Sequence, residues 1–239
     1  MTDLSENVKA CIAEGLKQLK LPASAAEKLI AYGALLLETN QSFNLLGNVA
    51  EQDLAIKHLL DSLAAVKAAE KAVKVLDMGS GGGLPGIPLA ICCPDTRFVL
   101  ADATAKKVDF INKAAEFLGL DNVKGLCGRA EELAGGAERE SFDLCVSRAM
   151  AAMDKLAEYC LPFVKVGGRL IAYKGPKAAE ELAEARGAIR VLGGGNARVE
   201  QVQIPYLEGE RNLICIDKVK QTPPAYPRTN AQIKNKPIR

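Results

Sequence analysis

Residues 73–83 read Val73-Lys74-Val75-Leu76-Asp77-Met78-Gly79-Ser80-Gly81-Gly82-Gly83, a short apolar run that ends in a glycine-rich turn. A helix-like segment, residues 84–93, follows, and a second apolar run occupies residues 97–102. Apolar runs of this length that are bounded by glycine are typical of buried strands. The stretch therefore predicts a strand, a turn, a helix and a second strand, the unit from which parallel sheets are built.

The alternation of strands and helices continues toward the C-terminus. The pattern predicts further helices at residues 106–118, 153–159 and 178–192, and further strands at residues 123–126, 142–147, 168–173, 198–204 and 212–219. The last two strands are joined by the short turn Glu208-Gly209-Glu210, which predicts an antiparallel hairpin. The fold class is therefore α/β: a mostly parallel seven-stranded sheet with a terminal hairpin, the Rossmann-like layout of class I methyltransferases.

The segment before this sheet has a helical pattern. Apolar residues recur at helical spacing in residues 2–20, a second such segment runs to about residue 40, and a third covers residues 51–69. The third segment carries Leu54, His58, Leu59 and Leu63 on one predicted face. We therefore predict an N-terminal α-helical cap at 1–70, a cofactor-binding domain at 71–220 and a C-terminal tail at 221–239.

Composition excludes several classes of protein. Of the 239 residues, 49% are hydrophobic and 25% are charged, as is usual for a globular protein. No stretch approaches the roughly 18–20 apolar residues of a membrane helix, and the N-terminus has no signal-peptide pattern, so we expect a cytoplasmic protein. The seven cysteines are scattered and the chain has one histidine, which predicts buried free thiols and no metal site.

The net charge of +2 conceals a basic tail. Residues 217–239 hold six Lys or Arg and one acid, a net charge of +5, so residues 1–216 carry −3. Such a tail is either a solvated extension or an electrostatic contact for a polyanion. Charge alone does not decide between the two.

The glycine turn predicts a nucleotide-like ligand, because glycine lets the backbone approach a ligand closely. Its spacing Gly81-x-Gly83-x-x-Gly86 also fits a dinucleotide fingerprint. We expect the Asp77 carboxylate to face the crevice, where it would attract the amino group of S-adenosylmethionine and repel a pyrophosphate. A nicotinamide dehydrogenase is the main alternative, and a non-catalytic RNA-binding module with the same fold is the third.

Further candidates lie where later strands end. Asp102 ends the strand after Asp77 and is placed to accept the ribose hydroxyls, a role that both ligand classes use. The segment with Ala130 and Glu131 either borders the adenine or caps a short helix. Arg148 is expected in the crevice, where it could pair with the methionine carboxylate, with a substrate phosphate, or with Asp77 or Asp102.

Two residues of the cap attract a catalytic interpretation. His58 is the single histidine of the chain, and Asp61 lies three residues after it. A histidine on an amphipathic helix is more often a hydrogen-bonded packing residue than a catalytic one. We apply the same interpretation to Asp61.

Several segments of the chain resemble a known family, the bacterial small-subunit ribosomal RNA guanine-N7 methyltransferases, also called glucose-inhibited division protein B. The segments are His58-Leu59-Leu60-Asp61-Ser62-Leu63, Val75 to Ala90 with its Gly-Gly-Gly-Leu-Pro-Gly-Ile-Pro turn, Ser147-Arg148-Ala149, Lys174-Gly175 and Tyr226-Pro227-Arg228. The resemblance covers nearly the whole chain. Departures from the family pattern occur at Leu46, Ala231 and Ile233.

The resemblance implies an activity and a set of site residues. The cofactor would be S-adenosylmethionine and the target a guanine of 16S ribosomal RNA, at position 527 in the decoding-site 530 loop. The cofactor contacts implied are Gly79, Leu84, Ala130, Glu131 and Arg148, to which the glycine-turn argument adds Asp77, Gly81 and Asp102. We expect a monomer that acts on the small ribosomal subunit or its precursor.

The implied chemistry needs little from the protein beyond alignment. Guanine N7 carries a lone pair and no proton, so it attacks the methyl group without a general base. Arg148 is the candidate catalytic residue. The residues expected to hold RNA phosphates are Arg148, Lys174, Lys177, Arg228, Lys234 and Lys236.

Overall fold

The computed structural model describes residues 3–238, and a seven-stranded sheet lies at their centre. Its strands are β1 (Lys74–Met78), β2 (Arg97–Asp102), β3 (Val123–Cys127), β4 (Phe142–Arg148), β5 (Val164–Lys174), β6 (Gly194–Val202) and β7 (Arg211–Lys218). The strand order is β3-β2-β1-β4-β5-β7-β6. Strands β1 to β5 are parallel, and β7 is antiparallel to both β5 and β6. The predicted mostly parallel sheet with a terminal hairpin is confirmed.

Helices cover both faces of the sheet and form the cap. They are α1 (Glu6–Gln18), α2 (Ala25–Ser42), α3 (Glu51–Asp53), α4 (Val66–Ala69), α5 (Gly86–Cys92), α6 (Ala105–Phe117), α7 (Ala130–Leu133), α8 (Met153–Cys160), α9 (Ala178–Val191) and α10 (Asn230–Asn235). The apolar spacing predicted the central helices to within about two residues, but it did not predict α10.

The third cap segment is not the regular α-helix that its apolar spacing predicts. Between α3 and α4 the chain forms a π-helix, Leu54–Leu60, followed by a 3-10 turn, Leu63–Ala65. Side chains bond to the carbonyls that a regular helix would use: the Ser62 hydroxyl and the Arg148 guanidinium both donate to the His58 carbonyl. Groups that insert into the helical ladder in this way widen or bend a helix, and π-segments are frequent at functional sites.

Two apolar layers enclose the sheet. Because side chains alternate along a strand, Val75 packs into the layer shared with the cap, and the adjacent Leu76 packs into the layer under α8 and α9. Both side chains are fully buried. This double burial explains why the predicted strands are continuous apolar runs rather than alternating ones.

The basic tail packs back onto the domain. Arg228 makes an ion pair with Glu158 of α8, whose side chain is 1% exposed, at 2.7 Å. The Arg139 guanidinium donates to the backbone carbonyls of Thr222 and Tyr226, and Ile233 of α10 is fully buried. Part of the tail is therefore structural, and its charge is not all available to a partner.

None of the helices within residues 3–238 has both the length and the apolar character needed to cross a membrane. The same residues contain no group of three or more His, Cys, Asp or Glu side chains arranged to hold a metal ion. All seven cysteines are free thiols. Five are buried as predicted, but Cys127 is exposed and Cys11 is partly buried, because β3 is an edge strand and Cys11 lies at the side of α1.

Candidate active site

The carboxyl ends of β1, β2 and β4 lie at one edge of the sheet, and a cavity of about 650 Å³ opens there. In open α/β sheets this edge is where ligands bind. One wall is the glycine turn, residues 79–82, with Leu84. The cap supplies a second wall, which includes His58 and Asp61, and the third consists of residues from β5, α9 and β7.

The glycine turn is held open toward the cavity by its backbone conformation. Gly79 and Gly81 have φ angles of +73° and +57°, which glycine adopts without strain. The Gly79 amide donates to the Ala101 carbonyl of β2, and the Gly81 amide donates to the Asp102 carboxylate at 3.0 Å. A Cβ atom added at Gly81 would meet no atom within 4 Å. The turn therefore presents bare backbone to open space.

Asp77 does not face the crevice, so that prediction is wrong. Its side chain is fully buried under the turn, where one carboxylate oxygen accepts the Gly86 amide at 2.8 Å at the start of α5. The other oxygen, Oδ1, is buried and has no hydrogen-bond partner in the described part of the chain. Asp77 is not among the residues that line the cavity. Burial raises the pKa of Asp77 to about 7.

This burial predicts a pH dependence of stability. The Asp77 pKa rises from 3.8 to about 7 on folding, so the folded chain binds more protons between these values. The stability that the group contributes is complete below its unfolded pKa and is lost as the pH rises toward 7. Between about pH 5 and about pH 8, the wild-type free energy of unfolding should fall by about 3 kcal/mol relative to that of Asp77→Asn. Urea unfolding of both proteins measures this, and parallel pH curves would contradict it.

The other predicted cofactor residues differ in their relation to the cavity. Leu84 lines it. Both Asp102 oxygens accept backbone amides, from Gly81 and from Thr104. Ala130 and Glu131 begin α7 after β3 and, like Asp102, are not among the residues that line the cavity.

Arg148 lines the cavity, and its carboxylate partner within the protein is neither Asp77 nor Asp102. Its guanidinium donates to Asp61 at 3.0 Å, and the second Asp61 oxygen accepts Nε of Arg211 at 2.5 Å. The Asp61 side chain is fully buried between the two arginines, so the cap is joined to β4 and β7. From the sequence, we expect Arg148→Ala to have little effect on stability. Because the variant would leave one oxygen of the buried Asp61 without its ion-pair partner, the structure predicts a substantial loss of stability instead.

Asp61 and Arg211 are the residues whose importance sequence reasoning missed. A carboxylate on the apolar face of the third cap segment was a usable signal, since buried charges are paired. Nothing in the sequence paired Asp61 with Arg211, which is 150 residues away.

His58 is not the hydrogen-bonded packing residue that the sequence predicts. It lines the cavity, and its Nδ1 atom is buried without a hydrogen-bond partner among the described residues, 3–238. Burial, and then the nearby Arg148 charge, lower the pKa of His58 to about 4. The imidazole is therefore neutral at physiological pH.

The predicted RNA-binding residues divide into two groups. Lys174 donates to Glu181 at 2.6 Å and to the Ala151 carbonyl, with 10% of its side chain exposed, and Arg228 is held by Glu158. Both were expected to be free for phosphates, and both are instead used by internal contacts, because each lies beside a carboxylate that is not fully exposed. Arg148 is likewise paired, with Asp61. The other three, Lys177, Lys234 and Lys236, are exposed.

Comparison with solved structures gives the class of the fold. An O-methyltransferase from Bacillus cereus in complex with SAH superposes with a TM-score of 0.55 at 18% identity, covering 79% of this chain and 91% of that one. Cofactor-bound Rv0187 from MTB gives 0.55 at 19% identity, covering 80% and 91%. The fold is therefore the Rossmann-like methyltransferase fold, as predicted.

Proteins found by sequence comparison have a higher sequence identity to this chain than these two structures have. The family model described as GidB, rRNA small subunit methyltransferase G, matches residues 25–214. The ribosomal RNA small subunit methyltransferase G of Moorella thermoacetica is 47% identical over 201 residues, covering 83% of this chain and 84% of the relative. That of Alkaliphilus metalliredigens is 38% identical over 237 residues, covering 97% and 99%. With the family model and full-length relatives in agreement, the chain belongs to the rRNA small subunit methyltransferase G family.

Proposed function

We propose that this protein transfers a methyl group from S-adenosylmethionine to N7 of a guanine in the 530 loop of 16S ribosomal RNA. The family favours this activity over a nicotinamide dehydrogenase and over a non-catalytic RNA-binding module. The observation that carries the proposal is the cavity between the glycine turn and the cap. Its lining holds five Lys or Arg side chains and two carboxylates, a net charge of +3 that suits RNA.

The residues at the glycine turn fit the cofactor. The open backbone at Gly81 leaves room for the methionine part, and the Asp102 carboxylate beside it is placed to accept ribose hydroxyls. Asp77 is left out of the proposed contact set, because its side chain is fully buried and does not line the cavity. Gly79, Leu84, Ala130, Glu131 and Arg148 complete the proposed contact set. When bound, the cofactor supplies an electrophilic methyl group on a sulfonium.

The protein's own residues would bind and orient rather than move a proton. Guanine N7 needs no base, and no residue within 3–238 hydrogen-bonds to His58 Nδ1 to orient the imidazole as one. Arg148, fixed by Asp61 at the cavity wall, is the proposed catalytic residue because a rigid cation there orients an anionic substrate beside the turn. We assign RNA phosphate contacts to Lys177, Lys234 and Lys236.

The organisation of the chain follows from this proposal. The cap at 1–70 and the domain at 71–220 would enclose the target nucleotide, and the tail at 221–239 would carry part of the RNA-binding charge. We further propose that the protein acts as a monomer in the cytoplasm, on the small ribosomal subunit or its precursor.

Calorimetric titration and methylation of ribosomal subunits test the proposal together. Titration with S-adenosylhomocysteine and with NAD should give binding of the first and none of the second. Small subunits from cells that lack this enzyme should accept one methyl group, and borohydride and aniline cleavage should place it at the predicted guanine. Binding of NAD alone, or methylation at another nucleotide, would refute the assignment.

The tail gives a separate prediction about salt dependence. The exposed residues Lys234 and Lys236 precede Arg239, which lies outside the described residues. Replacing all three with glutamine should weaken binding to the small subunit and flatten the log-log salt dependence by about two to three units, at about 0.7–0.9 for each RNA phosphate that the variant no longer neutralises.

The control for the tail prediction is a pair of exposed lysines on the far side of the cap. Lys67 and Lys71 lie in and after α4, which precedes the amino end of β1, opposite the cavity. Replacing both with glutamine should leave the salt slope unchanged. An unchanged slope in the tail variant would show that its lysines are only solvated, and a loss of cofactor affinity would show that the tail reaches the cavity.

A further inference from the structure

The third wall of the cavity contains a carboxylate that the cofactor assignment does not use. Glu181 lies in the first turn of α9, and its side chain is 28% exposed. One of its oxygens, Oε2, accepts Lys174 at 2.6 Å and the Met153 amide at 3.1 Å. Its other oxygen has no hydrogen-bond partner among residues 3–238. Glu181 is therefore fixed in position with one oxygen left over.

The chemistry of guanine determines which edge of the base this wall would meet. N7 lies in the five-membered ring, whereas the N1–H and N2–H donors lie on the opposite side of the purine. A base that directs N7 at the glycine turn must therefore direct N1–H and N2–H away from it. Donors that leave water without finding an acceptor cost free energy, so this side of the cavity needs an acceptor.

Only two carboxylates line the cavity in the described part of the chain, Asp61 and Glu181. Asp61 is fully buried, and its two oxygens are taken by Arg148 and Arg211. Glu181 is partly exposed and retains a free oxygen. The remaining acceptor of suitable charge is therefore Glu181.

We propose that Glu181 determines the specificity for guanine by accepting hydrogen bonds from N1–H and N2–H of the target base. Lys174, which Glu181 holds at the cavity wall, donates to guanine O6. This inference rests on the proposed function, because it takes the target to be a guanine attacked at N7. Adenine would bring the lone pair of its N1 against a carboxylate oxygen, and a site built to bind donors rejects such an analogue strongly.

A purely structural role for Glu181 makes a different prediction. If Glu181 only positions Lys174 and the start of α8, its replacement lowers kcat/KM for every substrate to the same extent. If it contacts the base, its replacement removes the enzyme's ability to sense the N2 amino group. Inosine separates the two roles, because it is guanosine without that amino group.

The experiment compares small-subunit RNA reconstituted with guanosine or with inosine at the target position. We expect the wild-type kcat/KM to fall by about tenfold from guanosine to inosine, the effect of removing one hydrogen bond to a charged acceptor. Glu181→Ala should lose about tenfold or more on guanosine and show no further loss on inosine. Glu180→Ala, which removes the exposed neighbouring carboxylate of the same helix, should keep the wild-type ratio.

Two controls keep the outcome decisive. The affinity for S-adenosylhomocysteine checks that Glu181→Ala is folded. If that affinity falls, Glu181→Gln, which keeps an acceptor for the Met153 amide, takes the place of Glu181→Ala. The guanosine-to-inosine ratio of Glu181→Gln should lie between those of the wild type and Glu181→Ala. An unchanged ratio in the Glu181 variants would overturn the inference and leave the proposed function standing. A wild-type enzyme that does not methylate the guanosine substrate would overturn both.

Discussion

Gly81→Glu should abolish binding of S-adenosylhomocysteine and leave the protein folded. A side chain at this position points into open space, since no atom lies within 4 Å of the added Cβ, so its carboxylate would occupy the volume proposed for the cofactor. The positive φ of +57° adds a strain of about 1–2 kcal/mol, which most folded domains tolerate. Gly79→Glu should lose binding too, with a larger cost in stability, because its Cβ would come within 3.0 Å of Met150.

Gly119→Glu is the matched control for this prediction. Gly119 has a φ of +59° and no atom within 4 Å of an added Cβ, so the backbone cost is nearly the same. It lies between α6 and β3, at the opposite edge of the sheet from the cavity. Calorimetry should show normal S-adenosylhomocysteine binding by the control and none by Gly81→Glu. Wild-type affinity in Gly81→Glu would remove the glycine turn from the cofactor site.

Asp61→Asn should be the most destabilising single change at the site and should also stop methyl transfer. The variant leaves the Arg148 and Arg211 guanidinium groups, which are 12% and 21% exposed, without the anion between them. Removing one partner from a buried charge network costs about 3–5 kcal/mol, because the remaining charges stay partly desolvated. Arg148 would also lose the ion pair that fixes it at the cavity wall. Denaturant unfolding and a methylation assay measure the two effects.

Asp53→Asn provides the comparison for Asp61. Asp53 lies eight residues before Asp61 in the same cap segment and forms an ion pair with Lys57. The Asp53 and Lys57 side chains are 46% and 55% exposed. Exposed pairs of this kind contribute about 0–1 kcal/mol, so this variant should unfold like the wild type. Equal stability of the two variants would mean that the Asp61 network is not a stabilising one.

Local sequence was sufficient for the main elements of the fold. The apolar runs that end at Met78 and Asp102 predicted strands to within a residue, because a strand buried on both faces needs uninterrupted apolar side chains. The turn at Gly79 and Gly81 was identified because backbone at positive φ favours glycine. Helix α10 was missed, because six residues with one buried side chain, Ile233, carry no readable period.

By itself, the sequence determined the α/β fold and the position of the glycine turn, since these depend on periodicity and on residue types at fixed local spacing. The resemblance of its motifs indicated the family. Only the tertiary structure decided how the charges are used. It buried Asp77, paired Asp61 with both Arg148 and Arg211, and bound Lys174 and Arg228 to the carboxylates of Glu181 and Glu158. Ion pairs between distant residues have no sequence period, because the partner of a charge depends on which elements the fold brings within about 4 Å of it.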